Sequence, residues 1–125
     1  MNFPANLKYT KDHEWLRIDG ANAYVGITDY AQSELGDVVY VDITASGDVA
    51  SGASFGTIEA VKTVSDLFLP AGGKVLEVNQ KIKDTPETIN KDCYNDGWIV
   101  KIQLANPAEA NGLMDAEAYK KLIGH

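Results

Sequence analysis

Short stretches in which apolar and polar residues alternate, cut by glycine turns, run through most of this 125-residue chain. A period of two places every second side chain on one face, which suits half-buried strands and no helix. "WLRI" and "AYVGI" flank Asp19-Gly20, a strong hairpin signal. "DVVYVDI" puts Val39, Val41 and Ile43 on one face, and "WIVKIQL" sets Trp98, Val100, Ile102 and Leu104 against Ile99, Lys101 and Gln103. "SFGTIEA" and "TVSDLFLP" lead into and out of Lys62. Strands this short, with turns this frequent, predict a sandwich or flattened barrel.

Two helices interrupt the pattern. "TDYAQSELG" opens on a capping Thr28 and closes on Gly36. Near the C-terminus, a helix over about 115–123 opens on Asp115 and ends with lysines, matching the helix dipole. Both are expected to cover an edge or end of the sheet.

Charge and composition exclude several function classes. The net charge is −7 with no cluster of Lys and Arg, so the basic footprint of a nucleic-acid binder is missing. No apolar run approaches the ~20 residues that span a bilayer. The first residues carry no charged-then-apolar signal and no Arg/Ser-rich amphipathic segment. A cytoplasmic setting is expected, or the mitochondrial matrix for a processed eukaryotic chain. Cys93 is the single cysteine, which rules out an internal disulfide and fits a reducing compartment. With His13 and His125 the only histidines, no zinc site of usual spacing can form. Neither a Gly-x-Ser-x-Gly elbow nor a P-loop is present. A small hydrolase built on Cys93 and His13 would need the two side chains paired in space.

Lys62 is the residue that asks for a function. The chain reverses at Ala60-Val61-Lys62-Thr63 without Asn-Gly, Asp-Gly or Pro. A type I turn tolerates such residues, and it would present an amine beside an exposed valine at the tip of two stiff strands. An ordinary surface lysine would be merely solvated; one displayed like this suits a modifying enzyme.

"GTIEAVKTVSDLFLPAGGKVLEVN" resembles the lipoyl-lysine hairpin of glycine cleavage system H proteins. The likeness continues through "LKYTKDHEWL", "VGITDYAQSELGDVVYVDI", "YNDGWIVKI" and "MDAEAYKKLI", in the same order over nearly the whole chain. Departures are few: Cys93 stands where the family usually has proline, Ala60 replaces a common serine, and "DTPETIN" varies a loop. Biotin carriers bracket their lysine with methionines, whereas Val61 and Thr63 do so here. Lipoyl domains of 2-oxo acid dehydrogenases show Asp-Lys at the turn rather than Val-Lys.

The resemblance implies a mainly β, lipoyl/biotinyl-type flattened barrel (a barrel-sandwich hybrid) with short peripheral helices. It implies one carrier domain over 1–125, with a lipoyl hairpin over about 54–70 and lipoate amide-linked to Lys62. Such a carrier is not itself an enzyme. It shuttles the aminomethyl group of glycine from a pyridoxal-phosphate glycine decarboxylase to a tetrahydrofolate-dependent aminomethyltransferase, then passes electrons to the flavoenzyme dihydrolipoyl dehydrogenase. A lipoate ligase or lipoyltransferase would load it, and a monomer is expected. An H-like carrier serving lipoyl transfer or a 2-oxo acid dehydrogenase is the alternative. Glu59, three before the lysine, and Gly73, eleven after, are expected recognition marks for the loading enzyme. Gly73 also suits a turn position with φ above zero. Glu14 and Asp66, with His13 beside them, are expected to line the cleft for the cationic end of the loaded arm.

Overall fold

The computed structural model describes residues 1–124, so His125 lies outside the described residues. Among the described residues nine strands form two sheets. The larger contains β1 (Lys8–Tyr9), β2 (Glu14–Asp19), β3 (Asn22–Ile27), β9 (Val100–Leu104), β8 (Gly73–Val78) and β5 (Gly47–Val49), paired in that order. The smaller is β4 (Val38–Ile43), β6 (Ser54–Ala60) and β7 (Val64–Phe68). The mainly β architecture with short helices is the expected one, but the sheets are not closed into a barrel: their order leaves β1 and β5 as edges of one, β4 and β7 of the other. Every pairing within them is antiparallel.

The Asp19-Gly20 signal makes the turn it announces, with Asp19 paired to Asn22 across it. In β9, Val100, Ile102 and Leu104 are buried while Gln103 is exposed, as the alternation requires. Leu16, Val25, Val41, Phe55, Ile58, Leu67 and Ile102 share the core. Trp15, one residue from Leu16, points to the opposite face of β2 into a second cluster with Tyr9, Cys93, Tyr94 and Tyr119. That second cluster exists because the C-terminal helix α4 (Ala116–Leu122) covers the outer face. Asp115 caps it, accepting the Ala118 N–H at 2.8 Å. Helix α1 (Asp29–Leu35) starts and stops where its caps dictate: Thr28 Oγ1 accepts the Ala31 N–H at 3.1 Å, and Gly36 follows with φ 80°.

Four elements depart from the expected pattern. In β4 it is Val38 and Val41 that are buried, while Val39 is 47% and Tyr40 54% exposed. The register against β6 shifts between Val38 and Tyr40, and the extra residue of that bulge turns the alternation over. Two short helices, α2 (Gln80–Asp84) and α3 (Thr88–Lys91), bury Ile82 and Ile89; α3 begins inside the "DTPETIN" stretch where a loop was expected, and α2 ends at its first residue. A short 3-10 segment, Pro107–Gly112, precedes α4.

Gly73 corrects a third expectation. Its φ is not positive and it occupies no turn; it opens β8, paired with Val49 and Leu104. Glycine is required there by close approach, since a Cβ would stand 2.5 Å from the Gln103 carbonyl oxygen. Gly73→Ala is expected to cost about 1–3 kcal/mol of stability, read by urea unfolding, because backbone must move to admit the methyl. An unchanged midpoint would show that the sheet yields freely at this point.

Candidate functional site

The hairpin of β6 and β7 pairs Glu59 with Val64, and the chain reverses through Val61, Lys62 and Thr63. The turn is closed by the Ala60 N–H donating to the Thr63 carbonyl at 2.8 Å, and it is tied to the start of β4 by the Val61 N–H donating to the Asp37 carbonyl at 3.1 Å. Neither Val61 nor Lys62 has a positive φ, so the reversal needs no glycine. Lys62 is exposed, and among the described residues it makes no ion pair. Its side chain lies along the end of α1: a Cβ placed on Gly36 would stand 3.3 Å from Lys62 Cε and 3.8 Å from Nζ. Asn90 of α3 fixes that helix end, accepting the Val38 N–H at 2.9 Å and donating to the Gly36 carbonyl at 2.9 Å.

A groove of about 250 Å³ runs between α1, the turn into β2 and the β6–β7 hairpin. Its apolar walls come from Ile27, Ala31, Leu35, Ile58 and Leu67; its polar groups include His13, Glu14, Glu34 and Asp66. Glu14, Asp66 and His13, named from sequence, therefore meet in one groove whose α1 wall ends where Lys62 lies. Tyr30, Ala31, Glu34 and Leu35 were missed, although their spacing on α1 puts them on one helical face.

Glu14 is only 2% exposed. One carboxyl oxygen accepts the Phe68 N–H at 3.1 Å and the other the Thr10 hydroxyl at 3.3 Å. Burial pushes this carboxyl up to about 8, helped by the nearby Asp12 and opposed by those two hydrogen bonds. Burial thus favours the protonated form of Glu14, and among the described residues it makes no ion pair. It also forms part of the wall of a second cavity, of about 300 Å³, bounded by Phe68, Leu69 and Met114. His13 is held below the usual histidine range by burial, against the pull of Asp12 and Glu34. Asp66 is exposed at the groove's mouth.

Glu59 is exposed on the outer face of the small sheet, in register with Tyr40 and Val64. Val64 is 59% and Val61 72% exposed beside Lys62 in the hairpin, and Val39 and Tyr40 are exposed on the neighbouring β4. Gly73 is buried in the larger sheet. Cys93 is buried beside Trp15, whose indole N–H donates to the Cys93 carbonyl at 3.1 Å. Burial pushes its thiol up to about 12, and the hydrogen bond of His13 goes to Tyr119 instead. Among the described residues no Cys-His nucleophile forms.

The glycine cleavage H-protein family model matches residues 7–125. The chain belongs to the glycine cleavage H-protein family. It is 56% identical over 124 residues to the glycine cleavage system H protein of Bacteroides thetaiotaomicron, covering 98% of each chain. Against the H protein of Chlorobium luteolum it is 56% identical over 127 residues, covering 99% of each. The crystal structure of a glycine cleavage system H protein from Mycobacterium marinum superposes with a TM-score of 0.89 at 39% identity, covering 98% of this chain and all of that one. Among the described residues no cluster of His, Cys, Asp and Glu could hold a metal ion, and no helix is long and apolar enough to cross a membrane.

Proposed function

We propose that this chain is a lipoyl carrier of glycine cleavage, with Lys62 as its attachment point. The observation that carries this is the juxtaposition of an exposed amine on a pinned hairpin with a groove that is apolar along its walls and acidic at one end. Lipoate fits those residues: its hydrocarbon chain suits Ile27, Ala31, Leu35 and Ile58, and an amide bond needs only the unpaired Nζ. Once attached, it supplies a dithiol–disulfide couple able to accept a one-carbon amine and two electrons.

The protein's own contribution is binding and shelter. Leu35, Ile58 and Leu67 exclude water from one side of the groove, and a desolvated wall strengthens any charge contact inside it. Asp66 offers an exposed carboxylate. Glu14 offers a buried carboxyl that gives up its proton when a cation arrives, because an opposite charge within contact favours the ionised form. His13, neutral, adds no positive charge. Hydrolysis of a cationic aminomethyl group held there would slow as water is excluded.

In this role the chain catalyses nothing itself and serves, in turn, glycine decarboxylase, aminomethyltransferase and dihydrolipoyl dehydrogenase, after loading by a lipoate ligase or lipoyltransferase. The exposed Val39, Tyr40, Val61 and Val64 suit short-lived contacts with several such partners, and Glu59 stands among them as a mark for the loading enzyme. It would act as a single-domain monomer in the cytoplasm. Incubation with lipoate ligase, lipoate and ATP should add one lipoyl mass, and digestion should place it on the peptide containing Lys62. A lipoyl group on another lysine, or a biotinyl mass on protein purified from a biotin-ligating host, would contradict the assignment.

A further inference from the structure

Among the described residues His13 is the one non-glycine residue with a positive φ, 68°. Such conformations are unfavourable for side chains and persist only where the surroundings fix them. Here the His13 N–H donates to the Thr10 carbonyl at 3.1 Å, and the His13 carbonyl accepts the Thr28 N–H at 3.0 Å. The result is to aim the imidazole between α1 and α4, its ring centroid 5.0 Å from that of Tyr30 and 5.8 Å from that of Tyr119.

The ring's hydrogen bond can be assigned a direction. Nδ1 lies 2.8 Å from the Tyr119 hydroxyl, which lies 2.8 Å from Thr28 Oγ1. Thr28 is fully buried, and its oxygen already accepts the Ala31 N–H at the start of α1. The partner left for the Thr28 hydroxyl proton is the Tyr119 oxygen. Thr28 then donates to Tyr119, and Tyr119 must donate to Nδ1. A proton on Nδ1 would reverse the series and leave the Thr28 hydroxyl proton buried without an acceptor. The Tyr119 hydroxyl cannot resolve the conflict by ionising, since burial pushes it up to about 12.

We infer that His13 is a positioning residue of the groove, held by the Thr28–Tyr119 hydroxyl pair as the neutral tautomer with its proton on Nε2, so that it offers the groove a hydrogen-bond donor and no positive charge. This deepens the carrier reading and rests on it for the identity of the incoming cation. Tyr30 of α1 and Tyr119 of α4 contact the His13 ring, Asp12 and Glu34 act on it electrostatically, and Glu14 and Asp66 of β7 line the same groove. All of these are acidic or neutral. An imidazolium among them would neutralise one carboxylate and repel an arriving ammonium group; a neutral Nε2–H leaves the carboxylates to the ligand. Burial also holds His13 below its ordinary range, although Asp12 and Glu34 pull the other way. Helix α4, otherwise only a cover for Trp15 and Tyr9, thereby sets the charge of a site at the opposite end of the sequence.

Two-bond ¹⁵N–¹H correlation spectra of the unlipoylated protein test this without any arm attached, and His13→Asn identifies the signals of His13 against those of His125. The expected wild-type pattern at pH 7 is a neutral ring protonated on Nε2. Tyr119→Phe keeps the ring stacked on Tyr9, now at 4.9 Å, while removing the donor to Nδ1. It should mix the tautomers and raise the His13 midpoint by about one pH unit, the size of one lost hydrogen bond. Thr28→Ser keeps the hydroxyl and should preserve the wild-type pattern. On lipoylated protein, Tyr119→Phe should shorten the lifetime of the aminomethylated arm several-fold at pH 6 and leave it unchanged at pH 8. A wild-type His13 that is cationic or protonated on Nδ1 at pH 7 would overturn the inference, as would an unmoved midpoint in Tyr119→Phe. Equal lifetimes at both pH values would overturn the positioning role, and the groove itself would still be judged separately through Glu14.

Discussion

Lys62→Arg should abolish lipoylation completely while leaving the fold intact. Lys62 is exposed, makes no ion pair among the described residues, and sits in a turn held by backbone hydrogen bonds that do not involve its side chain. Replacing it should therefore change stability by no more than about 0.5 kcal/mol. Arginine keeps the charge and the length but cannot be deprotonated in a protein, so it presents no amine lone pair to an activated carboxyl. Intact mass after coexpression with the ligase should show no lipoyl addition, and glycine-dependent turnover should fall to the level without carrier. A lipoyl mass on the variant would move the site to another lysine. A large loss of stability would instead give Lys62 a structural role that its exposure argues against.

Glu14→Gln should alter the pH dependence of stability more than any other change at the groove. The ordinary value of this carboxyl is 4.5 and the folded one about 8, so folding raises it. A raised group contributes stability that is fully present below the unfolded value and is lost as pH rises through the folded one. Each unit corresponds to about 1.4 kcal/mol, so wild type should lose roughly 4 kcal/mol between pH 4.5 and 9 that the glutamine variant keeps. Other titrating groups are common to both proteins and cancel in the difference. Parallel stability profiles from urea unfolding would mean that Glu14 titrates normally.

The same variant has a second expected effect on lipoylated protein. Glutamine retains an oxygen for the Phe68 N–H but cannot ionise to meet a cation. Loss of one partly desolvated charge-assisted contact, about 1.5–3 kcal/mol, should shorten the lifetime of the aminomethylated arm on the order of tenfold or more, read as formaldehyde release. Lipoylation should be unaffected, because Glu14 lies inside the groove and away from the exposed face of the hairpin. Reoxidation by the dehydrogenase should change little, because the reduced arm carries no amine. Equal lifetimes would remove Glu14 from the site.

Much of this could be read from sequence because it is local. Alternation marked β2, β3, β6, β7 and β9, and the caps Thr28, Gly36 and Asp115 bounded α1 and α4 because capping is settled within one turn. The bulge in β4 could not be read: which of Val39 and Val41 faces the core depends on pairing with β6, a partner about twenty residues away. Helices α2 and α3 are too short to establish a period, and Ile82 and Ile89 gave no signal beyond being apolar. Gly73 suggested a turn, whereas its reason lies in the Gln103 carbonyl across the sheet. Within the groove, Glu14, His13 and Asp66 came from the resemblance and from charge chemistry. The backbone N–H of Phe68 that meets Glu14 has no counterpart in sequence, and Tyr119 lies 106 residues from His13.

The most direct measurement of the central claim is a reconstitution. Lipoylated protein is combined with glycine decarboxylase, aminomethyltransferase, tetrahydrofolate, dihydrolipoyl dehydrogenase and NAD, and NADH is followed after glycine is added. NADH should form many times over for each carrier, only with glycine, and only when Lys62 bears lipoate. No glycine-dependent NADH from fully lipoylated protein, or equal turnover when a 2-oxo acid and its dehydrogenase component replace glycine and its decarboxylase, would contradict a carrier of glycine cleavage.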